Sequence, residues 1–232
     1  ISTDVVLIFF CSLFMLVLIR IRKKPSFINF IILGIFLGLS FLAKYAATYY
    51  IFSLFLLLLL DKKTRFVFFE KYLNIIFFLG SFVLLILPNI IWNHQNEWIT
   101  IFHTSDNAGL KRAGLNLLHG LEFLGTQWLM LGPITFLFFV FYLRKIKINF
   151  ETKFLLIFSL PVFVIVLVES ILVRANANWA AVALIPFFII TIEHVYRYSK
   201  KTIIIGNFFN FGFCFIFFIL VASSSNLSLF NR

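Results

Sequence analysis

Charged side chains are scarce in this sequence. Lys, Arg, Asp and Glu make up 12% of its 232 residues, whereas about a quarter of the residues in a soluble domain are charged. Apolar residues make up 62%, and they form unbroken blocks of about 15 to 20 residues, long enough or nearly so to cross the hydrocarbon core of a bilayer. This composition excludes a soluble globular domain and predicts an integral membrane protein.

Acidic residues and cysteines are scarcer still. Nine acids face 20 basic residues, giving a net charge of +11. Basic patches can bind nucleic acid, but here the basic residues lie in short loops between apolar blocks, where they set membrane orientation. Nucleic acid is therefore not an expected partner. Cys11 and Cys214 both lie inside apolar blocks, which favours packing or lipid contact over a disulfide or a metal site.

Charges divide the chain into eight apolar segments, and the second and third of these meet at Lys44. As one helix these two would extend for roughly 51 Å, too long for one span, so a hairpin turning at Lys44 is predicted. The fold class is an all-α polytopic membrane bundle of about eight transmembrane helices, with residues 1–232 as one domain. The segments are 5–19, 27–43, 45–60, 72–91, 121–143, 154–173, 180–195 and 203–222.

Basic residues are concentrated in alternate connections between these segments. The connections 20–26, 61–71, 144–153 and 196–201 contain four, four, four and three Lys or Arg residues, which is 15 of the 20 in the chain. Positive loops stay in the cytoplasm, and eight alternating spans place all four connections there. The stretch WNHQNEW and Lys44 are therefore expected on the periplasmic or outer side of a bacterial inner membrane.

The 93–120 segment, predicted to be a periplasmic loop, holds much of the scarce polar chemistry. It is too long for a passive turn, and leucines after Gly109 recur at near-helical spacing, which indicates a helix along the membrane surface. An ordinary interfacial segment with Trp anchors is the alternative. His94, His103 and His119 match no compact metal-ligand spacing, so no metal or other cofactor is predicted, although a divalent ion is left open.

Three isolated charges have both a structural and a functional interpretation. Lys44 either snorkels to water from a turn or binds an anion such as a lipid phosphate. Arg174 either pairs locally with Glu169 or acts like Lys44. Asp4 either suits the N-terminus of a helix or belongs to an active site.

An outward-facing set of carboxylates, cations, amides and Trp side chains suits a lipid-phosphate sugar. A Lys or Arg stabilises the departing phosphate, and a carboxylate takes the proton of the acceptor hydroxyl. A transporter would instead show interrupted helices and charges near the middle of the bilayer. The middle of each predicted span is almost entirely apolar, which favours the enzyme.

Several stretches resemble bacterial glycosyltransferase family 39, the membrane-embedded type that includes protein O-mannosyltransferases and lipid A aminoarabinose transferases. No single motif is decisive, and it is their order and spacing along nearly the whole chain that make the match. The stretches are TDVVLIFFCSLFMLVLI (3–19), GLSFLAKYAATYYIFSLFLLLLL (38–60), LPNIIWN (87–93), HTSDNAG (103–109), LEFLGTQWLMLGPITF (121–136) and ANANWAA (175–181).

The resemblance implies a GT-C fold, a polyprenyl-phosphate sugar as donor and inverting transfer to a periplasmic lipid, glycan or protein acceptor. It assigns an active-site carboxylate to Asp4 and donor-phosphate binding to Lys44, with Arg174 as a second candidate. His103, Asp106, Asn107, Asn178 and Trp179 would line the sugar or acceptor region.

The family's usual catalytic acid lies in a first periplasmic loop that precedes the matched region. The chain is therefore expected to be the C-terminal part of a larger GT-C transmembrane region. A non-catalytic fragment, or a membrane protein that only binds or moves a polyprenyl lipid, is the alternative function.

Overall fold

The structure is a computed structural model that describes residues 2–108 and 114–223. These residues form α-helices and short 3₁₀ turns with no β-strand among them, which confirms the predicted all-α class. The helices are α1 (Thr3–Lys23), α2 (Phe27–Ala43), α3 (Thr48–Leu60), α4 (Lys62–Phe69), α5 (Tyr72–Gln95), α6 (Ile99–Ala108), α7 (Leu117–Leu131), α8 (Pro133–Tyr142), α9 (Phe150–Ile157), α10 (Leu160–Leu172), α11 (Ala181–Tyr198) and α12 (Lys200–Ala222).

Each of the eight predicted apolar segments falls on a helix or a pair of helices. Five helical segments of the described chain are long and apolar enough to cross a membrane, and α7 with α8 makes a sixth if counted as one broken span. The two apolar helices on either side of Lys44 are shorter. Many large apolar side chains of α12 are exposed, as expected of a helix that faces lipid.

The predicted apolar segment 121–143 is divided between two helices, α7 and α8. The axes of α7 and α8 differ by 98°. Gly132 separates them with φ 90°, a left-handed conformation that favours glycine, and a Cβ there would overlap the Asn210 side chain. Pro133 then begins α8, because its missing N–H does no harm in a first turn. Apolar periodicity alone gave no sign of this bend, but a proline inside an apolar segment predicts a kink, and Pro133 stands at this position.

The four basic connections meet at one end of the bundle, called here the Arg22 end. Arg22 Nε lies 3.0 Å from Asp61 Oδ2, and its guanidinium carbon lies 3.5 Å from the centre of the Phe150 ring. The Tyr198 hydroxyl donates to the Lys145 carbonyl at 3.1 Å. These contacts reproduce the alternation of connections that the charge pattern predicts.

Much of the 93–120 segment is helical. Helix α5 continues to Gln95, α6 follows after a short turn, and α7 begins at Leu117. The predicted surface helix after Gly109 begins in residues 109–113, which lie outside the described part.

Helices α2 and α5 pack at very short range because glycine replaces a side chain on α2. A Cβ at Gly34 would overlap the Ser81 hydroxyl and the Phe78 carbonyl oxygen of α5. The Ser81 hydroxyl in turn donates to the Ile31 carbonyl at 3.0 Å, which ties the two helices together. Close approach through small residues is how membrane helices associate where no hydrophobic effect drives them together.

We expect Gly34→Ala to destabilise the protein by roughly 1–3 kcal/mol, because the methyl group overpacks the α2–α5 contact. Gly80→Ala, on the same helix pair, is the control, since nothing lies within 4 Å of a Cβ there. Melting temperatures in detergent measure the difference. Equal melting temperatures for the two variants would show that the contact is less tight than described.

The Asp61 carboxylate gives a second prediction. Burial alone would raise its pKa, but hydrogen bonds from Arg22 and Thr64 and the Arg22 charge outweigh burial and lower the pKa from 3.8 to about 2. Since the folded-state pKa is the lower one, the stabilisation is complete above the unfolded pKa and is lost as the pH falls toward 2.

We therefore expect the melting temperature to fall between about pH 5 and pH 2, and to fall less in Asp61→Asn. Glu70→Gln, an exposed acid at the same end, is the control and should keep the wild-type pH dependence. A pH profile of Asp61→Asn parallel to that of the wild type would contradict the assignment.

Candidate functional site

Three of the residues singled out in the sequence meet at the end of the bundle opposite Arg22, called here the Asp4 end. Lys44 Nζ donates to Asp4 Oδ1 at 2.7 Å, and Asn178 Nδ2 donates to Asp4 Oδ2 at 2.8 Å. The Ser2 hydroxyl adds a third donor to Oδ2 at 3.1 Å. The carboxylate is 16% exposed and the lysine 29% exposed, so the ion pair is largely shielded from water.

Local sequence explains why these side chains converge. Ser2 caps α1 and leaves Asp4 in its first turn, where a negative charge is favourable. Lys44 ends α2 with an extended backbone, which confirms the predicted break at this residue. Asn178 lies in a 3₁₀ turn, Ala177–Ala180, just before α11. Each residue thus lies where a helix begins or ends.

A cavity of about 660 Å³ opens beside this cluster, within the range of small-molecule sites. Lys44 and Trp179 line it, whereas Asp4 and Asn178 are not among the lining residues. Lys44 is therefore the member of the ion pair that borders the cavity, and Asp4 contacts it from outside the cavity lining.

Glu169 is a functional candidate that the sequence interpretation missed. It was considered only as a local partner for Arg174, yet it is partly exposed and lines the same cavity as Lys44. Its carboxylate makes no hydrogen bond or ion pair with any residue that the structure describes. A carboxylate in an apolar helix is energetically costly unless it is paired or reaches water, and such residues are often functional. The presence of Glu169 in the apolar segment 154–173 was therefore the signal that could have identified it.

A second polar cluster also lines the cavity. The Tyr45 hydroxyl lies 2.8 Å from Thr100 Oγ1 and donates to Asn89 Oδ1 at 3.5 Å. The Thr100 hydroxyl also donates to Asn93 Oδ1. Tyr45, Asn89 and Thr100 all line the cavity. Hydroxyl and amide groups of this kind can bind sugar hydroxyls, and no local sequence pattern groups these residues.

The turn between α5 and α6 brings Thr100 to this cluster. Glu97 and Trp98 have φ values of 54° and 59°, an unusual conformation for residues with bulky side chains. The Trp98 amide donates to the Asn93 carbonyl at 2.8 Å, which holds the turn. The strained stretch is part of WNHQNEW, so this polar segment has a structural role beside the cavity.

Arg174, His103 and Asp106 are not among the residues that line the cavity. Arg174 is highly exposed, and its Nε lies 3.8 Å from Glu122 Oε2 rather than at Glu169, so the local Glu169 pair is not formed. His103 and Asp106 are exposed on α6. Asn107 is also on α6, but its side chain lies outside the described part.

No group of three or more His, Cys, Asp or Glu side chains that could hold a metal ion occurs in residues 2–108 and 114–223. The chemistry that the described residues offer is that of ion pairs, amides, hydroxyls and aromatic faces.

Residues 1–92, which include Asp4 and Lys44, match a family model described as dolichyl-phosphate-mannose-protein mannosyltransferase. The chain is also 30% identical over 198 residues to lipid A galacturonosyltransferase RgtD of Rhizobium johnstonii. That alignment covers 84% of this chain and 41% of the relative's length. No solved structure matches the chain significantly. Both matches are to membrane glycosyltransferases of the GT-C type, which confirms the resemblance identified from the sequence motifs.

We expect the Asp4–Lys44 pair to be energetically coupled. Asp4→Asn and Lys44→Met each leave one partly buried charge without its partner, whereas the double variant removes both. A double-mutant cycle on melting free energies should give a coupling of about 0.5–3 kcal/mol. Strictly additive effects would show that the two side chains do not interact in the folded protein.

Proposed function

We propose that this chain forms part of a glycosyltransferase that moves a sugar from a polyprenyl-phosphate donor to an acceptor on the periplasmic face of the bacterial inner membrane. The observation that carries the proposal is the cavity bordered by Lys44, Glu169 and Trp179. Its lysine and the Asp4 behind it both fall within the residues matched to the mannosyltransferase family.

Lys44 is the proposed contact for the donor phosphate. When the bond between the anomeric carbon and the phosphate oxygen breaks, the bonding electrons leave with the phosphate, and a nearby ammonium group stabilises that charge. Asp4 and Asn178 keep the lysine in position, because Asp4 accepts from both. Trp179 offers an aromatic face for the sugar, and Tyr45, Asn89 and Thr100 offer hydrogen bonds.

The acceptor hydroxyl needs a group to take its proton as its oxygen attacks the anomeric carbon from the side opposite the phosphate. Glu169 borders the cavity without a partner in the described residues, so it is free to meet a hydroxyl of the sugar or of the acceptor. Asp4, the carboxylate assigned from the resemblance, can take this role only if Lys44 or Asn178 releases it. A phosphate that shares Lys44 would loosen that contact.

Transport of a polyprenyl lipid is less well supported. The interrupted segment α7–α8 resembles the broken helices of transporters, but residues 123–143 contain no charged side chain. A charge-free bend offers no path for an ion or a charged substrate. The polar groups gather at one end of the bundle instead.

Lys44→Met should lower sugar transfer by about 100-fold, the loss typical when one group that stabilises a developing anion is removed. The assay uses the complete protein of which this chain is proposed to form part, in proteoliposomes containing bacterial lipid acceptors, and follows release of polyprenyl phosphate from a radiolabelled polyprenyl-phosphate sugar. No release by wild-type protein would overturn the proposed reaction. Normal release by Lys44→Met, with an active wild type, would overturn only the role of the lysine.

Glu169→Gln tests the second carboxylate in the same assay. If Glu169 takes the proton, kcat should fall and the acidic limb of the pH–rate profile should disappear. If it only binds a hydroxyl, KM should rise with little change in kcat. Glu70→Gln, an exposed acid at the Arg22 end, should behave like the wild type. Unchanged kcat and KM in Glu169→Gln would remove this residue from the site.

A further inference from the structure

A second cavity lies at the Arg22 end, far from the proposed transfer site. Arg22 is 18 positions after Asp4 along α1, which separates the two ends by roughly 27 Å. The cavity has two adjacent lobes of about 500 and about 220 Å³. The lobes share Thr152, Ile190, Glu193 and Arg197 among their lining residues, and together they are called the basic cavity.

Positive charge predominates in the basic cavity. Arg197 is paired with Glu193 across one helical turn, and Arg22 is paired with Asp61 outside the lining set. The lysines in the lining form no ion pair with any described residue, and Glu151 is the remaining acid. The charged lining residues are Arg22, Lys23, Lys145, Lys147 and Arg197, against Glu151 and Glu193.

Aromatic contacts hold part of this charge in place. The Arg22 guanidinium lies over the Phe150 ring, with its carbon 3.5 Å from the ring centre. Lys145 Nζ lies 5.5 Å from the centre of the Tyr142 ring and 5.2 Å from that of Tyr198. Cation–π contacts of this kind orient a cation without neutralising it. The positive charge is therefore positioned before any ligand binds.

The larger lobe also has an apolar wall, formed by Ile19, Phe154, Leu155, Ile189 and Ile190. These residues lie on α1, α9 and α11, on the membrane side of the basic residues at the ends of α1 and α11. A soluble anion would use the charges but leave this wall in contact with water. A ligand that carries both a phosphate and an acyl chain uses both surfaces.

We propose that the basic cavity binds an anionic phospholipid, with its phosphate near Lys23, Lys147 and Arg197 and an acyl chain along Ile19 and Leu155. The headgroup lies at the level where the basic connections meet the membrane surface. This site is independent of the proposed transferase reaction, because it lies at the opposite end of the bundle and shares no lining residue with the first cavity.

The test compares lipid binding by wild-type protein and by two double lysine variants. Lys23→Ala/Lys147→Ala removes two unpaired cations of the basic cavity. Lys62→Ala/Lys71→Ala is the matched control, since it removes two exposed lysines at the same end that do not line this cavity. Each protein is placed in nanodiscs of mixed phosphatidylglycerol and phosphatidylcholine, and native mass spectrometry after transfer to detergent counts the retained lipids.

We expect wild-type protein to retain phosphatidylglycerol in preference to phosphatidylcholine. Lys23→Ala/Lys147→Ala should lower that preference by roughly tenfold, and the control variant by less than twofold. Melting temperatures in pure phosphatidylcholine should be equal for all three proteins, which shows that the lysines are not needed for folding.

If both double variants lost the preference for phosphatidylglycerol equally, only the general surface charge would attract lipid, and the proposal would be overturned. So would a melting temperature raised as much by inorganic phosphate or glycerol 3-phosphate as by phosphatidylglycerol, since the apolar wall would then contribute nothing. If Lys23→Ala/Lys147→Ala is unstable in phosphatidylcholine, wild-type protein alone decides: no preference for phosphatidylglycerol overturns the site.

Discussion

The ion pair between Asp4 and Lys44 is the interaction on which the candidate site depends. It joins the first turn of α1 to the residue at which the chain breaks between α2 and α3. A charge that is largely buried is costly without a partner, so each of the two side chains lowers the cost of burying the other. The Tyr45–Ala47 turn that follows Lys44 then carries Tyr45 to the cavity wall. If the pair were lost, the lysine and the turn after it would no longer be fixed.

A second ion pair completes this arrangement at the other end of α1. Asp4–Lys44 joins residues 40 apart in sequence, and Arg22–Asp61 joins residues 39 apart. The helical stretch between Lys44 and Asp61 is therefore tied at both ends to α1, and the two run in the same direction. The two ion pairs therefore fix the register of Tyr45–Leu60, a shorter apolar segment, against α1.

The sequence predicted the helical segments, the break at Lys44 and the gathering of basic connections, because each depends on a local pattern of charge and hydropathy. It also selected Asp4, Lys44, Asn178 and Trp179, which the structure places in or beside one site. It indicated a kink at Pro133 but did not predict a bend of 98°, which depends on the packing of Gly132 against Asn210. Nor did it select Glu169, because the meaning of a carboxylate in an apolar segment depends on which other helices face it.

The charge balance around the first cavity constrains how a lipid phosphate can bind there. Lys44 and Glu169 are the charged lining residues, and Asp4 already satisfies the lysine from behind. The three groups carry one positive and two negative charges when ionised, so an added phosphate would compete with Asp4 for Lys44 and loosen that ion pair. Asp4 Oδ2 would then still accept hydrogen bonds from Asn178 and Ser2, whereas Oδ1 would lose its contact with Lys44. Donor binding would thus turn a structural carboxylate into one that can accept a proton, which reconciles the role assigned to Asp4 from the sequence with the closed ion pair of the free protein.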